Sequence, residues 1–367
     1  MKQRLCLLLA CMSLIACHPN HPGRLSQPAS LAGAPAVLHL LSTGQKQVLH
    51  AATRLKQSFK NAGTVVFPFQ DGGRTRWTFL PTGMSPRMGV SLGKMSNTQK
   101  IYLHQLLSKV LSSQGYLKTT HIMGLDQLLK EHFNKPKMNW SYDQYYFSFW
   151  GLPSATKPWG FKFEGHHLSL NFTFSDMQFS ATPLFLGTNP AQVSSTRYAG
   201  LRVLGQEEDL GFKLINALTD KQRGIALLKR AVPRNILTIA GSKDRLKKYW
   251  GIRGDQLNVS QQKILFQLIC EYVQNLQPEM SQQQLKKISA NHLDDVYFSW
   301  IGQTKNTDTY YYLIHSPRFV IEFDNNHNHV HSIWRVKGSH FGEDILRNHL
   351  KNSPHHQHAT RSHPRTK

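Results

Sequence analysis

The chain of 367 residues is 40% hydrophobic and 18% charged, which excludes a disordered polymer and leaves room for one large domain or two ordinary ones. Lys and Arg outnumber Asp and Glu by 44 to 21, for a net charge of +23. That balance favours anionic surroundings, a membrane surface or a polysaccharide, but the basic residues are scattered and no specific nucleic-acid partner is expected.

In chain order, Lys2 and Arg4 precede an apolar run from Leu5 to Ile15, a charged n-region before an h-region. The run is shorter than the about 20 residues of a spanning helix. It ends in Leu14-Ile15-Ala16-Cys17, which resembles the lipobox of bacterial lipoproteins. Residues 1–16 are therefore expected to be a signal peptide, with Cys17 lipidated. His18-Pro19 follows with no Asp, which in lipoproteins of enteric type allows outer-membrane sorting. The expected location is the bacterial cell envelope, with the lipid as the membrane contact. Cys270 alone would then remain as a free thiol, in an apolar helical pattern that reads as a buried, inert site.

Residues 17–38, rich in Pro, Ser, Ala and Gly, read as a tether, and residues 351–367 as a disordered His-rich basic tail. Between them, 39–350 is expected to be one domain. Four segments predict helix starts of the capping-box type: Leu41 to Gln45, Met95 to Gln99, Leu218 to Gln222, and the Asn variant Leu257 to Gln261. Apolar residues at helical spacing follow, most clearly Ile264, Leu265, Leu268, Ile269, Tyr272, Val273 and Leu276. Two aromatic strands echo one another, Tyr146 to Gly151 and Tyr297 to Gly302. The order predicts an internally duplicated α+β fold, with halves of about 39–200 and 201–350, built as an antiparallel sheet with helices packed on one side.

Candidate chemistry lies at the ends of this pattern. Read as one strand, Phe161 to Phe172 puts Glu164 and His166 on the face of Leu168, Leu170 and Phe172, with His167 beside them. In the second half, Phe319 to Phe323 leads into a run where His327, His329 and His331 share a face if extended. If the halves are duplicates, the two His clusters fall at corresponding places. Two or more imidazoles with a carboxylate suit a divalent metal, zinc or iron. The metal set expected is Glu164, His166, His167, His329 and His331. Glu207 and Glu208 are candidate general bases or extra metal ligands or, alternatively, complements to a helix dipole. Arg335 is a candidate for holding an anionic substrate group. Thr182 to Pro190, with two prolines and a glycine, reads as an irregular loop lining the same cleft.

Several of these stretches together resemble a bacterial family, the domain of unknown function 3500. They are Phe67-Pro68-Phe69, Arg74 to Trp77, Trp159 to Ser169, Thr182 to Pro190, Glu207 to Gly211, His329 to Arg335 and Phe341 to Asp344, in matching order from about residue 40 to 350. The chain departs from the family pattern at Thr78, where His is frequent, and in its shorter Asn-rich run at Asn325 to Asn328, which leaves His327 a weak candidate. The resemblance implies no activity. From the residues, the first expectation is a metal-dependent enzyme using metal-activated water for hydrolysis, and the second a non-haem iron oxidation. A non-catalytic lipoprotein binding a metal or an anionic ligand is the alternative, and a structural envelope protein with hydrogen-bonded core histidines is a third.

Overall fold

The computed structural model describes residues 41–176, 178–242, 245–288, 293–305 and 307–352. The expected signal segment, Cys17, the tether up to residue 38 and the tail from 353 lie outside them. The helices are α1 (Thr43–Gln57), α2 (Asn97–Val110), α3 (Ser113–His132), α4 (Gly205–Ala217), α5 (Asp220–Ala226), α6 (Val259–Val273), α7 (Pro278–Lys287) and α8 (Glu343–Asn352).

All four capping boxes form. Ser42 with Gln45, Ser96 with Gln99, Thr219 with Gln222 and Asn258 with Gln261 each exchange side-chain and backbone bonds at the starts of α1, α2, α5 and α6. Each N-cap satisfies an amide that the first helical turn leaves unpaired, an effect of about 1 kcal/mol. Leu265, Leu268, Ile269, Tyr272, Val273 and Leu276 are buried, as their spacing predicts. Cys270 is only half-buried, but its thiol is pushed up to about 11 by burial and by Glu271, so it stays protonated.

The strands are β1 (Val66–Phe67), β2 (Val90–Ser91), β3 (Tyr146–Trp150), β4 (Trp159–Gly165), β5 (Leu168–Ser175), β6 (Gln178–Ser180), β7 (Leu184–Thr188), β8 (Ile252–Arg253), β9 (Tyr297–Gly302), β10 (Thr309–His315), β11 (Phe319–Asn326) and β12 (Val330–Val336). They form one sheet in the order β1-β3-β4-β5-β7-β12-β11-β10-β9-β8, with β2 beside β3 and β6 beside β5. Every described pairing is antiparallel except β1 with β3. The helices lie on one side, so the fold is α+β as expected. Among the described residues, no helix is long and apolar enough to cross a membrane.

Alternation along the strands sorts the core. Phe161, Phe163, Leu168, Leu170, Leu184, Leu186, Val330 and Trp334 join the large cluster under the helices. Phe185 and Ile333 face the other way, into a smaller cluster with Trp77, Phe79, Ile236 and Phe341. That second face is covered by irregular chain. Glu322 straps it down, accepting from the Leu237 and Thr238 amides, the Thr238 hydroxyl and, at 2.7 Å, the Tyr311 hydroxyl.

The halves share devices. Gly89 (φ 98°) and Gly251 (φ 93°) each press onto the carbonyl of the neighbouring aromatic strand, Phe147 and Phe298, where a Cβ would come within 2.1 and 2.0 Å. The repeat is not strict, however. Boxed α1 packs on boxed α2, whereas it is α4, which has no box, that packs on boxed α6.

Three readings of the sequence need correction. Thr182 to Pro190 is no loop: its middle is β7, the strand at the centre of the sheet, and the prolines only bound it. Phe161 to Phe172 is no single strand but the β4–β5 hairpin, turning at His166-His167, with Gly165 opposite Leu168. The turn reverses the chain, so Glu164 sits with Lys162 on the loop-covered face and not with Leu168 and Leu170. Finally, the His segments occupy non-equivalent hairpins: one joins β4 to β5, the other β11 to β12.

A candidate metal centre of three histidines

The centre is assembled by three neighbouring strands. His167 ends the β4–β5 turn in the left-handed region (φ 59°), a conformation that non-glycine residues disfavour by about 1–3 kcal/mol. Two bonds hold it there: its amide donates to the Phe79 carbonyl at 3.0 Å, and its carbonyl accepts from the Gly187 amide at 2.7 Å. His329 follows a two-residue turn, His327-Asn328, in which both residues have positive φ (55° and 63°), the geometry that suits a tight hairpin. His331 lies two residues further on, paired across β12 and β7 with Gly187.

Gly187 thus stands between His167 and His331. A Cβ there would lie 3.1 Å from the His167 ring and 2.9 Å from the Val330 carbonyl. The missing side chain is what lets imidazoles from the two flanking strands converge.

They do converge. One nitrogen from each of His167, His329 and His331 falls within 4.8 Å of the others. His167 Nε2 and His329 Nε2 are 2.7 Å apart. Phe79 and Phe185 close over His331, with ring centroids at 4.9 and 5.8 Å. Behind it, Asp324 Oδ1 lies 3.3 Å from His331 Nδ1, the placing of a carboxylate that orients a ligating ring. His167 is held well below the usual histidine range by burial, then by its three histidine neighbours. His329, half-buried, is lowered to about 3 by burial, then by His331 and His166. Neutral imidazoles are the form that binds metal.

A second group shares His167. The His166 ring stacks on it at 3.7 Å, and His166 Nδ1 is 2.6 Å from Asp126 Oδ1. The Tyr145 hydroxyl lies 3.0 Å from Asp126 Oδ2 and 2.8 Å from the His166 carbonyl. Asp126, His166 and His167 also have donor atoms within 4.8 Å of one another. Burial raises Asp126, and His166 opposes that rise.

The remaining candidates are engaged elsewhere. Glu164 bonds Lys162 at 3.1 Å and sits 3.9 Å from Arg87. Glu207, fully buried at the start of α4, pairs with Lys118 at 2.7 Å, and Lys118 also holds Glu271 at 2.6 Å. Glu208 pairs with Arg202 at 2.6 Å and accepts from Tyr310. Arg335 is buried, donates to Thr238 and lies over Trp77. His327 is exposed beside Asp308. Sequence reasoning missed Asp126, Asp324, Phe79, Tyr145 and Gly187. Only Gly187 carried a signal, a glycine inside an apolar run, which marks close approach of another group.

Fold and site together define an α+β protein whose single sheet gathers buried histidines from hairpins far apart in sequence. By family, the chain belongs to the group described as Protein of unknown function (DUF3500), whose model matches residues 42–343. No curated protein and no solved structure matches it.

Proposed function

We propose that the chain binds one divalent metal ion on His167, His329 and His331 and uses it in hydrolysis. The convergence of three imidazole nitrogens at a mostly buried site carries this reading. Three protein ligands leave a fourth position open, as catalytic zinc sites do, and such an ion acidifies a bound water. Two nitrogens at about 2.1 Å from a tetrahedral ion stand about 3.4 Å apart, so a small rotation of half-buried His329 makes the room. Asp324, 3.3 Å from His331 Nδ1, is placed to orient that ring once it ligates. His166, held by Asp126, stacks on His167 and is a candidate proton acceptor outside the three-histidine set. Asp126, His166 and His167 have the two-His-one-carboxylate composition of non-haem iron sites, which supports the oxidation reading. Asp126 and His166 already bond each other at 2.6 Å, so hydrolysis at the three-histidine set is preferred.

The envelope location belongs to the same proposal and rests on Lys2, Arg4, the run Leu5 to Ile15 and Cys17. The test begins with Cys17→Ser, which is expected to leave the membrane fraction; a variant that stays there overturns the anchor. Metal analysis then uses that protein with His355, His356, His358 and His363 replaced by Ala. About one zinc or iron per chain is expected, lost in His167→Ala with His331→Ala while the circular dichroism spectrum stays native. A folded protein without stoichiometric metal sinks the reading, and metal with every position filled by protein points to storage.

A further inference from the structure

A cavity of about 1050 Å³ opens beside the loop of residues 151–158 that joins β3 to β4. Phe69, Leu152, Pro153, Pro158 and, from α8, Leu346 give it an apolar wall. Leu152 stands at that wall 57% exposed, a large apolar side chain left in water.

The same loop meets the start of the described chain. Ser154 borders the cavity and, with Ala155, also borders a small hollow that holds Leu41, Trp159 and Phe174. Leu41 is buried there, so the point where the preceding chain leaves the domain is fixed beside the loop. The five residues before it, Ala36-Val37-Leu38-His39-Leu40, lie outside the described residues and are apolar except for His39. An extended chain gains about 3.3 Å per residue, so Leu38 reaches about 10 Å and Ala36 about 17 Å from Leu41, enough to cross one loop. Alternation then puts Ala36, Leu38 and Leu40 on one face.

We propose that the chain's own segment Ala36 to Leu40 occupies this cavity, crossing the loop with Leu38 seated against Phe69 and Leu152. An apolar segment and an apolar cavity both leave water when they meet, which is the favourable direction. The segment also holds an advantage over any free apolar molecule. It is joined to the domain at the cavity's edge, and a short covalent link gives an effective concentration in the millimolar range. The tether read from the sequence then leaves from the cavity rather than from the start of α1.

The test needs neither metal nor lipid, so it fails or succeeds separately from the metal reading. Full-length chain carrying Ala36→Cys and Lys157→Cys is oxidised gently, and the disulfide between the two introduced thiols is followed by peptide mass mapping. Lys157 lines the cavity and is exposed, so the change leaves the apolar wall intact. The comparison pairs Ala36→Cys with Val259→Cys, at the exposed start of α6. The first pair is expected to close at least tenfold faster. Nearness along the chain alone could favour it, so Gly72→Trp is added to fill the cavity. A Cβ at Gly72 meets nothing within 4 Å, so the ring enters without displacing neighbours. It is expected to slow the closure at least tenfold with an unchanged unfolding midpoint. Equal rates for the two pairs, or a rate untouched by Gly72→Trp, overturn the proposal. Saturable binding of the dye 1-anilinonaphthalene-8-sulfonate by the unaltered chain, abolished by Gly72→Trp, also overturns it and makes the cavity an open site for a free apolar ligand.

Discussion

At the scale of single residues, the centre depends on side chains that ligate nothing. His167 holds a disfavoured φ only because Phe79 and Gly187 bond its backbone on both sides. Asp324 is fully buried, and burial raises its carboxyl, with His331 the main opposing influence. Partners of this kind change metal affinity by about 10–100-fold when removed. Asp324→Asn is accordingly expected to weaken zinc binding by about that factor in competition with a chromophoric chelator. Affinity equal to that of the unaltered chain would mean that the 3.3 Å contact does not orient the ring. At this scale the sequence was half legible. His-x-His at 329 and 331 and the pair at 166 and 167 stood out by residue type. Asp324 and Asp126 did not, because an acid among apolar residues reads the same whether it faces a ligand or only a hydrogen bond.

At the scale of elements, β7 decides the geometry. Leu184, Phe185 and Leu186 are buried on both faces, so the strand has no polar alternation by which to recognise it, and its flanking prolines made it look like a loop. Helices were easier to read, since a capping box is local chemistry that tertiary contacts need not supply. The β4–β5 turn was harder: nothing in Gly165-His166-His167-Leu168 advertises a reversal as Asn-Gly would. Gly187→Ala tests the role of β7. The added methyl meets the His167 ring and the Val330 carbonyl, so metal affinity is expected to fall by tenfold or more, with modest destabilisation, of about 1–3 kcal/mol, in a urea titration. Loss of stability with unchanged affinity would reduce Gly187 to a packing residue.

At the scale of the whole molecule, acid should act through groups away from the centre as well. His315, at the end of β10, is buried against Tyr249 and accepts from Lys337 Nζ at 2.6 Å. Burial, then Lys337, lowers it from 6.5 to about 4. Between those values the unfolded chain binds a proton that the folded chain refuses, so this contribution to stability declines as pH falls from 6.5 to 4. Urea unfolding of the unaltered chain and of His315→Gln at pH 7 and pH 4.5 should show the unaltered chain losing more. Parallel losses would remove His315 as a source of acid sensitivity. The sheet-plus-helices plan was readable in outline, from the boxes and the two aromatic strands. Strand order was not, because β7 and β12 meet across more than 140 positions of chain and no local pattern encodes that pairing.

That pairing also fixes an order of events in time. His167 belongs to the fifth strand's hairpin, while His329 and His331 arrive only with the twelfth strand, near the end of the described chain. During synthesis the three imidazoles cannot meet until about 160 residues beyond His167 have been made and β12 has paired with β7. The metal capture proposed for the three-histidine set would therefore be a late step, a readout that the two distant hairpins have found one another.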